Sequence, residues 1–145
     1  RHVLDIYRPR GGCTRAPVLL QIHGGGWVMG NKHEQALPLI QHLAARGWVV
    51  VTPNYRLSPR ARFPDPLGGS AGGHLAALMA LTANDPRLQP GFERADTTVA
   101  AAIPFYGIYD FTDRHQLKGS GAGMVEWLEK TVMPSPAAAD AAPGP

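Results

Sequence analysis

Two glycine-bracketed motifs carry this chain's capacity for chemistry. Gly68-Gly69-Ser70-Ala71-Gly72 fits the pattern G-x-S-x-G, and a helical periodicity begins directly at Ala71. A serine so placed sits in a strained turn between strand and helix, where larger flanking side chains would collide. The turn pushes the hydroxyl clear of the backbone, and the amide that follows points from a helix N-terminus at a developing oxyanion. His23-Gly24-Gly25-Gly26-Trp27 offers the second half of such a site. Only glycines let successive N–H groups approach a substrate oxygen without obstruction by Cβ. A phosphate cradle is the competing reading; Gly25 and Gly30 have its interval, but Asn31 stands where its lysine belongs and no G-x-G-x-x-G occurs. The spacings therefore predict nucleophilic acyl transfer with main-chain donors receiving the charge.

The elements that must hold these residues follow from hydrophobic periodicity. Val18-Leu19-Leu20-Gln21-Ile22 is an apolar run rich in strand formers that empties into the glycine triplet. Asn31 is expected to open a helix, with Glu34 as capping partner, Leu37, Ile40 and Leu43 at helical intervals, and Gly47 as left-handed cap. Pro38 leaves the start of that helix open. Trp48-Val49-Val50-Val51-Thr52 reads as a second buried strand, so the pair forms a βαβ unit whose crossover makes the strands parallel. Near-continuous apolar strands imply helices on both faces of the sheet. Residues 71–83 predict a helix with Leu75, Leu78, Met79 and Thr82 on one face, ended by Asp85-Pro86. Residues 99–105 predict a third strand, and 124–133 a further periodic segment with Val125, Leu128 and Val132 on one stripe. The fold class is α/β, with a mostly parallel sheet.

Composition narrows the field. A chain of 145 residues is long enough for one domain and too short for two. Its 44% hydrophobic and 17% charged residues are those of a globular protein, and 17 glycines with 14 prolines make loops prominent. The single cysteine, Cys13, excludes an intrachain disulfide and any C-x-x-C site. No apolar stretch reaches the roughly 20 residues that cross a bilayer, so stable membrane insertion is not expected. The formal charge of +3, with Arg56, Arg60 and Arg62 as its densest basic run, comes without a recognition module, and no nucleic-acid partner is expected. The chain opens on Arg1 rather than methionine, so its natural start is expected to lie elsewhere. The compartment is left open, the cytoplasm being the default, and so is the oligomeric state. Residues 134–145, almost entirely Pro, Ala, Gly, Ser and Asp, form an expected disordered tail after a domain over residues 1–133.

Further stretches join the two motifs: Asn54-Tyr55-Arg56-Leu57-Ser58-Pro59, Phe63-Pro64-Asp65, Gly69-Ser70-Ala71-Gly72-Gly73-His74-Leu75 and Phe105-Tyr106-Gly107-Ile108-Tyr109-Asp110. Together the set resembles the hormone-sensitive-lipase-like esterases of the α/β-hydrolase superfamily, over most of residues 1–133. The resemblance implies hydrolysis of a small-molecule carboxylic ester without a cofactor, Ser70 being the nucleophile and the amides of Gly25, Gly26 and Ala71 the oxyanion hole. It also implies that His23, with Gly24, braces the glycine loop and that Trp27 lines the acyl or alcohol pocket.

The chain departs from that pattern at two places. In the family, a helix and then the central strand that carries the nucleophile lie between the Phe-Pro-Asp segment and the serine. Here Asp65-Pro66-Leu67 runs straight into Gly68, and prolines on both sides of Asp65 exclude a ladder-forming strand. The expectation is a partial α/β-hydrolase fold without its nucleophile strand, the strands ending at Ile22 and starting at Val99 facing each other across an unfilled row. The late acid and histidine of the family are also absent, since no histidine follows Met133. His74, four residues after Ser70, reads as a helix-face residue rather than a base; Asp110 with His115 keeps the order Ser, Asp, His but lies too close in sequence to come from separate loops. His2, His33 and His42 read as solvated, and no H-E-x-x-H or other dense ligand pattern supports a metal. A serine without its base keeps only about 10³–10⁴-fold catalysis over water. Two readings stay open: an esterase, weak or inactive in this form, and a non-catalytic α/β-hydrolase homologue that binds a small ligand.

Overall fold

The computed structural model describes residues 3–58, 71–109 and 130. Three strands form its sheet: β1 (Leu4–Tyr7), β2 (Val18–Leu20) and β3 (Val49–Pro53), in the order β1-β3-β2. β2 runs parallel to β3, with Val18 opposite Val49 and Leu20 opposite Val51, as the βαβ reading requires. β1 pairs antiparallel to the other side of β3, Leu4 opposite Pro53 and Tyr7 opposite Val50, so the described sheet is mixed.

Helix α1 (Leu37–Ala45) connects β2 to β3 and starts six residues later than Asn31. Pro38 is the reason: it lacks an amide proton and its ring would meet the carbonyl four residues back, so it is tolerated only in a first helical turn. Asn31 and Glu34 still pair, but as a separate turn in which the Asn31 side chain donates to Glu34 and accepts from the His33 amide at 2.8 Å. The other end matches expectation. Gly47 takes φ of 93°, its amide bonds Ala44 O at 3.2 Å and the Trp48 amide bonds Leu43 O at 3.1 Å, the paired bonds of a left-handed glycine cap. Ile40 of α1 and Val50 and Thr52 of β3 are buried, and α1 is the one described helix packed on the sheet.

Helix α2 (Ala71–Leu81) buries its first turn rather than a lengthwise stripe. Ala71, Gly72, Gly73 and His74 are inaccessible, whereas Met79 is exposed and Leu75, Leu78 and Thr82 are half covered. Asp85 then caps a short 3₁₀ turn (Pro86–Leu88) by accepting from the Arg87 amide at 3.0 Å. Asn84 and Gln89 hold the following loop, Asn84 through Thr97 and Thr98, Gln89 through the carbonyls of Phe92 and Ala95.

Residues 99–105 differ from the strand expected there: they pair with no strand among the described residues, and Ile103 and Phe105 are 72% and 70% exposed. A strand needs a ladder partner for its amides and carbonyls, and residues 99–105 have none among the described residues. No described helix covers the second face of the sheet. The periodic segment 124–133, apart from Lys130, and the tail 134–145 lie outside the described residues. Among the described residues no helix is long and apolar enough to cross a membrane.

Candidate active site

The glycine triplet follows β2 and folds into a tight turn in which Gly25 O accepts the amides of Val28 at 3.2 Å and Met29 at 3.1 Å. Gly25 has φ of 123° and Gly26 φ of 55°, and a Cβ on Gly25 would overlap the Met29 carbonyl. Larger residues are thereby excluded at Gly25 by backbone conformation and by space. Gly30 is equally constrained: with φ of 102°, its Cβ would lie 2.5 Å from Gly24 O and 2.7 Å from His23 Nδ1.

Around this turn, nearly every polar group is spoken for. His23 is buried and its Nδ1 donates to Gly24 O at 2.8 Å, which leaves Nε2 buried with no partner among the described residues. Its ring stacks on Tyr55, centroids 4.4 Å apart and planes inclined by 18°. Tyr55 Oη donates to His23 O at 2.8 Å, and burial holds its phenol well above the ordinary tyrosine pKa. The Gly24 amide donates to Gln35 Oε1 at 2.7 Å. The loop is further pinned by the Lys32 amide on Asn54 Oδ1 at 2.7 Å and by the Ser58 amide on Trp27 O at 2.7 Å. The amides of Gly25 and Gly26 form the exception. They donate to nothing among the described residues, and both glycines are half-buried rather than sealed. Two successive free N–H groups beside a rigid, partly dry wall are what an incoming oxyanion requires.

The start of α2 is seated against this turn. Gly72 packs so closely on the end of β2 that a Cβ would overlap Ile22 O and lie 2.9 Å from His23 O. On the other side, a Cβ on Gly73 would overlap Phe105 O, so the first turn of α2 is wedged between the two segments. Trp27, 1% exposed, forms a buried cluster with Ala71, against which Tyr55 and Ile108 pack. Trp27 has φ of 65°, unusual for a bulky residue, and its packing is what holds it there. The structure thus brings together His23, Gly24, Gly25, Gly26, Trp27 and Ala71. Ser70, with Gly68 and Gly69, lies outside the described residues, as do Asp110, Asp113 and His115.

Among the weighed histidines, His74 is buried on α2 with Nδ1 donating to Ile108 O at 2.6 Å, the helix-face position expected of it. His33 is exposed beside the Lys32–Asp5 ion pair, and His42 is exposed beside Arg46 on α1. Three residues that brace the turn escaped sequence reasoning: Tyr55, Gln35 and Gly30. Tyr55 had a legible signal, since it lies two residues beyond β3, at the same end of the sheet as the glycine triplet. Gln35 had none, because any polar residue in that loop reads alike.

Comparison with known proteins places this constellation. The BD-FAE family matches residues 4–67 and 65–143, two stretches that meet at 65–67. The Mycobacterium tuberculosis protein named "Probable carboxylic ester hydrolase LipM" is 51% identical over 138 residues, which take in 75% of this chain and 32% of that protein. Esterase LipQ of the same organism is 42% identical over 163 residues, 92% of this chain and 38% of LipQ. The chain therefore spans between about a third and two-fifths of the length of these curated relatives. Each alignment is longer than the part of this chain it uses: 75% of 145 residues is about 109 against 138, and 92% is about 133 against 163. The relatives thus carry about 30 residues opposite gaps in this chain. Among solved structures, the butyrate-bound form of the thermophilic esterase Est2 from the planctomycete Thermogutta terrifontis superposes with a TM-score of 0.65 at 22% identity, covering 89% of this chain and 56% of Est2. Its propionate-bound form gives 0.63 at 24% identity, covering 86% and 56%.

Proposed function

Because this chain belongs to the BD-FAE family, and so to the hormone-sensitive-lipase-like proteins of the α/β-hydrolase fold, we propose that its site is built for hydrolysis of small carboxylic esters by acyl transfer through Ser70. In this reading the Ser70 Oγ attacks the ester carbonyl carbon, and the carbonyl oxygen takes up negative charge within reach of the Gly25, Gly26 and Ala71 amides. The C–O bond breaks as the alcohol leaves with the proton given up by Ser70 Oγ, and water then attacks the acyl-serine, releasing the acid and returning a proton to Oγ. Each preorganised donor of this kind contributes about 2.7–4 kcal/mol to the transition state.

The observation that carries the proposal is a contrast within one loop. His23 O, Gly24 O and the Gly24 amide are all engaged, while the amides of Gly25 and Gly26 have no partner among the described residues, next to the buried first turn of the helix that follows Ser70. Trp27 is buried against Ala71, which supports a role in walling the acyl or alcohol side of that space. The base that accepts the Ser70 proton is none of the described histidines: His23 faces Gly24 and Tyr55, His74 is tied to Ile108, and His33 and His42 are exposed. The names of LipM and LipQ agree with ester substrates for a protein of this family.

A fluorophosphonate probe tests the reading, because it captures an activated serine without needing turnover. The purified chain is expected to gain one phosphonyl adduct at Ser70, and Ser70→Ala to gain none. A folded chain that takes no label overturns the proposal. Turnover of a short p-nitrophenyl ester that disappears in Ser70→Ala excludes the purely ligand-binding alternative.

A further inference from the structure

The direction in which a main-chain amide points is set by the carbonyl of the same peptide, because the unit is planar and trans and its N–H and C=O lie on opposite edges. Gly24 O accepts from His23 Nδ1 at 2.8 Å, so the Gly25 N–H is turned to the side away from that ring nitrogen. Gly25 O accepts from the amides of Val28 and Met29, so the Gly26 N–H faces out of the turn. The peptide ahead of these two, between His23 and Gly24, is held on both edges: His23 O by Tyr55 Oη at 2.8 Å, and the Gly24 amide by Gln35 Oε1 at 2.7 Å. Gln35 is exposed and 11 residues along the chain from Gly24, so its bond adds little to the core. What it does is close the loop that opens with the glycine turn.

The late start of α1 delivers Gln35 to that spot. Pro38 confines the helix to Leu37 onward, which leaves Gln35 in the loop. Ala36 then takes φ of 61°, a left-handed conformation that alanine keeps only where its surroundings demand it, and its carbonyl accepts the Ile40 amide at 2.9 Å. Ile40 is buried, and on the other side the Lys32 amide is tied to Asn54 Oδ1, so the chain flanking Gln35 is fixed while its side chain reaches back to the turn. We propose that Gln35 is a positioning residue for the oxyanion site: it locks the first peptide of the turn and withholds the Gly24 amide from the donor set, so that the amides of Gly25 and Gly26 keep their orientation. The proposal rests on Ser70 being the nucleophile. Without an acceptor at position 35 the first peptide is held by Tyr55 on one edge only, and Gly24 and Gly25, lacking Cβ, oppose its rotation weakly. The turn then spends a fraction of its time with both donors aligned, and binding of the transition state falls by that fraction.

The test compares the native chain with Gln35→Met, which keeps the side-chain length but offers no strong acceptor, and with Gln35→Glu, which keeps the acceptor. Measurements at about 0.15 M salt screen the exposed carboxylate of the second variant. Fluorophosphonate labelling of Ser70 is expected to slow about fivefold in Gln35→Met, the worth of one exposed hydrogen bond, and to recover most of that loss in Gln35→Glu. For a short p-nitrophenyl ester, kcat should fall in Gln35→Met with KM unchanged. Both variants should melt within about 2 °C of the native chain, as surface substitutions do. A Gln35→Met protein that labels at the native rate overturns the inference and leaves Ser70 as nucleophile untouched; so does a loss that Gln35→Glu fails to recover. A native chain that takes no label counts against Ser70 instead, and the amides then decide. In heteronuclear amide spectra, hydrogen exchange at Gly24 should quicken about tenfold in Gln35→Met but not in Gln35→Glu, with the Gly25 and Gly26 resonances shifted. Unmoved resonances and unchanged exchange at these three glycines overturn the inference whatever Ser70 does.

Discussion

Gly72→Ala puts the smallest possible wedge between the helix that follows Ser70 and the glycine turn. The added Cβ would overlap Ile22 O and lie 2.9 Å from His23 O, against about 3.4 Å for ordinary contact. Both obstacles are main chain, and His23 O is itself held by Tyr55 Oη, so neither can swing aside. α2 must therefore retreat by more than about 0.5 Å at its first turn. Overpacking of this kind costs about 1–3 kcal/mol, and with backbone on one side the upper end applies. Alanine's better helix propensity returns about 1 kcal/mol, leaving a net loss of about 2 kcal/mol. That lowers the melting temperature by roughly 4–8 °C in a domain of this size. Because the retreat carries the Ala71 amide away from Gly25 and Gly26, fluorophosphonate labelling of the folded variant should slow about tenfold, a displacement near 1 Å being able to cost about 10²-fold. Two controls separate site from stability. Gly11→Ala meets nothing within 4 Å and should change neither readout. Gly47→Ala is strained only by its φ of 93°, so it should lose about 1 kcal/mol and label normally. A Gly72→Ala protein that melts and labels like Gly11→Ala would refute the claim that this contact sets the site.

Other consequences follow from the polar groups around the turn. Tyr55→Phe keeps the stack on His23 but strips His23 O of its donor, and urea denaturation should show a loss of about 1–3 kcal/mol. Burial raises the Tyr55 pKa in the folded state, so the stability tied to its neutral phenol is complete below the ordinary value of 10.0 and falls as pH rises past it. Urea midpoints measured up to about pH 11 should decline less steeply in Tyr55→Phe than in the native chain. Thr52 Oγ1 is buried with no partner among the described residues, so Thr52→Val should raise stability by about 1 kcal/mol; a lower melting temperature would show that the hydroxyl is bonded after all.

Much of the site was legible because its chemistry demands residue types that are rare in combination. A glycine triplet at the end of an apolar strand has few uses besides exposing amides, and those of Gly25 and Gly26 meet no partner among the described residues. The cap at Gly47 was equally plain, since only a left-handed residue can close α1 with both of its bonds. The start of α1 was misplaced because Asn31 and Glu34 make the same local hydrogen bonds in an isolated turn as in a helix cap, and Pro38 decides between them. Residues 99–105 illustrate the converse. Their β-branched and apolar composition favours a strand, yet a strand is a relation between two segments, and no neighbour for it stands among the described residues.

Local features, then, were legible in the order of amino acids: which backbone positions must be glycine, and where the strand before the glycine turn and the helix cap at Gly47 fall. Packing settled the rest. That Tyr55 clamps His23 from 32 residues away, that Gly72 and Gly73 wedge one helical turn between two distant segments, and that one face of the sheet stands bare are outcomes of long-range contact. Such contacts depend on which surfaces meet, and surfaces meet only after the chain has closed loops whose partners no local pattern specifies.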